Sequence, residues 1–279
     1  MDTEARVARH YSQGRLEATI LDTLRASGKN VDALATADLA GVDEQHLGWR
    51  AATVELGRDL ELHSGHSVLD VGAGLGGPAR YFAETYGCKV SGVDLAAECV
   101  QVASSLALRC GLGHLVTFVR GSAHALPFPS GHFDVVTLMH VGMNIFNKAA
   151  AFAEVRRVLK LGGCFAIYDV MRLDTTILPF PLPWADSADM NFLETPDVYR
   201  RLLGAQGFRI ERERNRRDLA LEHGRSMRAN ATMRSLPPLG PHITMGSQTL
   251  HRLANVMNVL ELGSIAPIQM LARAVALRA

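Results

Sequence analysis

Residues 68–80, VLDVGAGLGGPAR, restrict the fold more than any other stretch of this chain. A short apolar run ends abruptly at glycines, and a helix-forming run, PARYFAETY, follows. That order reads as a buried parallel strand, a tight turn and a helix. Glycines at 72, 74 and 76 let the backbone approach a ligand where a Cβ would clash. The helix beyond them offers unpaired N–H groups to a polar or anionic group. In open α/β sheets such a turn lies at the carboxyl ends of the strands, where ligands bind. Gly72, Gly74 and Gly77 also satisfy G-x-G-x-x-G, and Asp94 stands about 20 residues on, where a carboxylate takes ribose hydroxyls. The turn alone leaves open a nicotinamide enzyme, another nucleoside-binding enzyme and a purely structural role.

The strand–turn–helix pattern then repeats. KVSGVDL, LVTFVRG, FDVVTLMHV and CFAIYDV are short apolar runs, separated by helical stretches at 96–110 and 148–159. A helix over 197–206, a strand over 207–214 and a final strand in SIAPIQMLARAVA complete the set. Alternation of this kind predicts right-handed crossovers and an α/β, doubly wound, seven-stranded, mostly parallel sheet. Residues 1–62 read as a helical N-terminal cap, with Leu16, Ile20, Leu21 and Leu24 at helical spacing. Residues 63–279 form the main domain. It carries a late, largely helical insertion at about 172–196 and 216–262, including helices at 218–236 and 249–262.

Composition removes several function classes. The 279 residues carry a net charge of +1, without the basic excess of a protein that grips phosphates. The basic run 209–217 is interrupted by Glu211 and Glu213 and reads as a solvated strand end. No stretch of about 20 apolar residues could span a bilayer, and the N-terminus lacks a signal-peptide core. The four cysteines form no CxxC pair and the histidines are scattered, so free thiols, no metal and a cytoplasmic setting are expected.

Three segments break the tie left by the glycine turn. Asp70 directly precedes the glycines in VLDVGAG, GSAHALPFPSGHFDVV follows the third strand, and VLKLGG precedes the fifth. In this order, over residues 67–170, they closely resemble the class I S-adenosylmethionine-dependent methyltransferases. The GGPAR variant and MHVGMNI are similar to the small-molecule branch, which includes sarcosine/dimethylglycine, tocopherol and sterol methyltransferases.

The resemblance implies a Rossmann-like sheet with S-adenosyl-L-methionine as cofactor. It implies that Gly72, Ala73, Gly74 and Gly76 line the methionine portion and that Asp70 positions its amino group. Asp94 would take both ribose hydroxyls and Leu95 would pack on adenine, bordered by Ser122 and Ala123. Ser122 departs from the family's more usual Asp. Met139, His140 and Asn144 would face the sulfonium and the acceptor, with His140 the candidate general base where a hydroxyl must lose its proton. His46 lies in a segment that resembles a closing element, with Trp49 or Arg50 near the cofactor carboxylate and Tyr11 a further candidate. His114, His124 and His132 read as turn or surface residues. Phe180 and Trp184, in a segment where three prolines forbid regular helix, would line the substrate pocket.

The expected function is methyl transfer to a small-molecule acceptor, first an amine nitrogen, then an oxygen or carbon of a natural product. An NAD(P)-dependent oxidoreductase and a non-catalytic S-adenosylmethionine-binding protein are the alternatives from other classes. Nucleic acid and membrane are not expected partners. The sequence leaves the oligomeric state open.

Overall fold

The computed structural model describes residues 3–233 and 238–276, apart from the side chains of 227–233. Four helices come first: α1 (Thr3–His10), α2 (Leu16–Ala26), α3 (Thr36–Asp43) and α4 (Trp49–Asp59). Then β1 (Ser67–Val71), α5 (Gly77–Tyr86), β2 (Lys89–Asp94), α6 (Ala97–Arg109), β3 (Val116–Arg120) and β4 (Phe133–Met139) alternate as their apolar spacing requires. α7 (Lys148–Val158), β5 (Leu159–Arg172), α8 (Pro196–Ala205) and β6 (Phe208–Asn215) follow. α9 (Arg217–Met233), α10 (His242–Met245), α11 (Thr249–Leu262) and β7 (Ile265–Ala274) close the order. The helix expected over 218–236 is α9; residues 234–236 lie outside the described residues.

The seven strands form one sheet in the order β3-β2-β1-β4-β5-β7-β6. β1 to β5 are parallel, and β7 runs antiparallel between β5 and β6. The order reverses between β1 and β4. Connections on either side of that point leave in opposite directions, so a crevice opens at the carboxyl ends of these two strands.

One face of the sheet buries Phe152, Val155 and Tyr199 of α7 and α8 against Leu69, Phe165 and Ile268. The other buries Leu56, Phe82 and Ala107 of α4, α5 and α6 against Val68, Val90 and Ala166. The N-terminal helices have no separate core. Leu16, Ile20 and Leu24 of α2 pack with Val102 and Leu106 of α6, so the cap depends on the sheet domain for its burial. A buried ion pair, Arg80 Nη2 to Asp43 Oδ2 at 2.5 Å, joins the end of α3 to α5. No described helix is long and apolar enough to cross a membrane.

Candidate active site

A cavity of about 400 Å³ opens over the carboxyl ends of β1 and β4. Its floor is the glycine turn. Gly74 has φ +52°, and a Cβ there would meet nothing within 4 Å, so the turn presents bare backbone to the cavity. Gly72 and Ala73 also line it, and both donate N–H to the carbonyl of Val93. Gly76 does not reach the cavity. A Cβ there would lie 2.4 Å from the Phe118 ring, so this glycine seats the turn on β3. Its left-handed φ of +78° caps α5, whose first turn holds Pro78 as helix starts favour.

Two buried carboxylates flank the turn. Asp70 stands one residue before the end of β1, beneath the glycines, with its Oδ1 accepting from Thr137 Oγ1 at 2.7 Å. Burial pushes its carboxyl up to about 7, against the pull of the Thr137 hydroxyl. Asp94, at the end of β2, accepts from the N–H of Gly74 at 2.9 Å and of Ala96 at 2.9 Å. Burial raises its pKa too, and those backbone donors partly offset the rise. Leu95 and Ala123 complete this part of the wall. Ser122 does not: its Oγ donates to Glu4 Oε1 at 2.5 Å and accepts from the N–H of His124.

The end of β4 brings in the third group. His140 has a left-handed backbone, φ +54°, an uncommon conformation for a side chain of this kind. Its N–H donates to the carbonyl of Tyr168 at 2.8 Å, and its ring stacks on Tyr168 at 5.6 Å. The ring is buried, and burial with a second imidazole, His46, 5.9 Å away holds its pKa well below 6.5. The N–H of Leu47 points at the ring, 3.3 Å from Nε2. A neutral imidazole has one accepting nitrogen. The same Leu47 N–H lies 3.4 Å from Nδ1, so it faces the ring between the two nitrogens without selecting one lone pair, and it is burial that keeps His140 neutral near pH 7 and disfavours a further proton.

Met139 and Asn144 line the same wall. Asn144 Nδ2 donates to the hydroxyl of Tyr11 at 2.9 Å, and its buried Oδ1 has no partner among the described residues.

The far wall is helical and apolar. Leu250, Leu253, Ala254 and Met257 recur at helical spacing on one face of α11 and face the cavity, with Trp184 beside them. Trp184 is buried, and its indole N–H donates to Asn191 Oδ1 at 2.9 Å. Phe180, expected in the same pocket, does not line it: it packs on the apolar cluster that holds Leu178, Leu182 and Trp184 itself. Arg50 is also drawn elsewhere: its guanidinium pairs with buried Glu44 at 2.8 Å and lies over the Tyr81 ring. His46 and Trp49 do line the cavity, and burial lowers the His46 pKa to about 4.

Two wall residues gave no sequence signal. Glu4 of α1 reaches across to His124 Nδ1 at 2.6 Å, so His124, expected at the surface, lines the cavity. Gln45 enters from the loop after α3.

Residues 69–167 match the family described as "Methyltransferase domain". Over these residues the chain carries a methyltransferase domain. Among the relatives of this chain is a sarcosine/dimethylglycine N-methyltransferase of Halorhodospira halochloris. It is 32% identical over 162 residues, which cover 58% of each chain. A sterol 24-C-methyltransferase of Eremothecium gossypii is 37% identical over 106 residues, 38% of this chain and 28% of that one. The chain thus spans less than two thirds of the length of the curated relatives it matches. The fold is shared with geranyl diphosphate C-methyltransferase from Streptomyces coelicolor, with a TM-score of 0.70 and 16% identity over 99% of this chain and 98% of that one.

Proposed function

We propose that this chain transfers a methyl group from S-adenosylmethionine to a small-molecule acceptor. The observation that carries the reading is one continuous cavity. It runs from two desolvated carboxylates beside an open glycine turn to an apolar helical wall. The donor set fits the cofactor. The Thr137 hydroxyl on Asp70 and two backbone N–H groups on Asp94 offset burial only in part, and among the described residues neither carboxylate pairs with a cation; an ammonium and a ribose diol would supply what is missing. Asp70 would meet the ammonium, Asp94 the ribose hydroxyls, Leu95 and Ala123 the adenine, and Gly72 to Gly74 the chain between. S-adenosylmethionine, when bound, supplies an electrophilic methyl on a sulfonium. The residues at the end of β4 then have to hold the acceptor in line and exclude water. We assign Met139, His140 and Asn144 to that task, with Trp184 and α11 enclosing the acceptor. His140 acts as a neutral wall in this scheme, not as a base.

An amine nitrogen remains the first choice of acceptor atom. An apolar wall favours the neutral, nucleophilic amine over its ammonium form, and such an atom needs no strong protein base before it attacks. The cap (1–62) and the inserted segments at about 172–196 and 216–262 serve as the cover over one transferase domain.

Calorimetric titration with S-adenosylmethionine, S-adenosylhomocysteine and NAD, side by side, tests the reading. Micromolar binding of both adenosyl ligands and none of NAD is expected. Binding of NAD alone would overturn it.

A further inference from the structure

The main cavity has no Lys or Arg in its wall among the described residues, whereas four of its wall residues are acidic. An anionic part of an acceptor finds no partner there. The cations of this end of the molecule are gathered next door.

A second chamber, of about 420 Å³, lies against the main cavity and shares Tyr11, Gln45, Pro183, Thr244 and Met245 with it as a partition. Its wall carries Arg6, Arg9 and His10 of α1 and Arg252 of α11, against one carboxylate, Asp186. Arg6 and His10 stand four residues apart and Arg9 three from Arg6, so α1 presents them within one turn of each other.

Arg252 is 8% exposed. Its Nη1 donates to the carbonyl of Leu182 at 2.6 Å and its Nη2 pairs with Asp186. Its buried Nε–H has no partner among the described residues. Asp186 also lies 3.5 Å from His10 Nδ1, so one half-exposed carboxylate is shared between two basic side chains. Arg6 is paired with Asp189, which is outside the chamber wall. Three guanidinium groups and one carboxylate thus line the chamber, and a buried guanidinium with an unused donor is a costly arrangement unless an acceptor completes it.

We infer that the acceptor is amphiphilic: an apolar body carries the methylated atom in the main cavity, and an anionic group, phosphate or carboxylate, sits in the side chamber on Arg6, Arg9 and Arg252. The inference rests on the methyl-transfer reading. The partition is compatible with it, because Met245 is unbranched and turns aside by side-chain rotation, and Gln45 does so once its amide releases the Val42 carbonyl and the Thr244 hydroxyl.

The test uses the full chain saturated with S-adenosylhomocysteine, titrated with octyl phosphate, octanoate and octanol. At least one of the two anionic amphiphiles should bind tenfold or more tighter than octanol, and the better of them names the anion. Arg9→Gln, on the exposed side of the chamber, should reduce that preference severalfold. Arg252→Met should abolish it while affinity for S-adenosylhomocysteine stays within about twofold. Equal affinity for the three amphiphiles, no binding of any, or a preference that survives Arg9→Gln would overturn the inference. The last arm decides the matter even if Arg252→Met does not fold. Absence of S-adenosylhomocysteine binding at the outset would break the methyl-transfer reading instead, so the two failures are distinct.

Discussion

At the glycine-turn end of the main cavity, one backbone loop and two carboxylates confront a ligand. At the helical end, one face of α11 and Trp184 offer only surface. The first end is polar, concentrated in a few atoms and built on strand termini. The second is apolar, spread over many side chains and built on helices that follow the last parallel strand. A concentrated polar site loses much when one atom is removed, because the ligand group left behind is buried without a partner. A distributed apolar site loses only the area of the side chain that is cut away.

The comparison breaks first at Asp94. Asp94→Ala is expected to weaken S-adenosylhomocysteine binding by roughly 1–3 kcal/mol, measured by calorimetry. Unchanged affinity would mean that the polar end does not hold the ribose.

Asp70 sharpens it through pH. Its carboxyl titrates near 7 in the fold against about 3.9 when unfolded, so the folded state favours the protonated form. The stability this contributes is complete below about pH 4 and is lost as pH rises through 7. Asp70→Asn cannot ionise. In the ligand-free protein its Tm should exceed that of wild type at pH 8, and the gap should shrink at pH 5. Identical pH dependence in the two proteins would show that Asp70 is not the desolvated carboxylate described above.

The smallest effect is expected at the boundary between the two ends. His140→Ala should lower turnover less than tenfold with an authentic acceptor, because burial keeps the imidazole neutral and disfavours its taking a proton. A loss of 10²–10⁴-fold would restore it as a general base.

The two ends also differ in how well they could be read from the chain. Strand, turn and helix around 68–80 have tight local constraints, so Asp70, Gly72, Gly74 and Asp94 fall where their spacing puts them. Even there, Gly76 has the same residue type as its neighbours yet serves packing. What distinguishes it is Phe118, more than forty residues away and invisible in the motif. Phe180 and Trp184 were indistinguishable as aromatic residues in a proline-rich stretch. Both belong to one apolar cluster, and only the fold of residues 178–192 puts Trp184 in the cavity wall and Phe180 outside it. The spacing at 250, 253, 254 and 257 was legible as a helical face, but a helix face does not announce whether it meets core or cavity. Glu4 and His124 meet across 120 positions, and neither position carries a local pattern that anticipates the pair.

The place of β7 bears on how the chain is made. Of the seven strands it is synthesised last, yet it sits inside the sheet, hydrogen-bonded to β5 on one side and β6 on the other. Until residues 265–274 leave the ribosome, β5 and β6 each expose an unpaired edge, and the helices of the apolar wall have no finished floor to settle on. A growing chain therefore completes its glycine-turn half early and holds two sticky strand edges open until β7 is made. A message truncated just before Ile265 would yield a protein with its glycine turn intact and a strong tendency to aggregate.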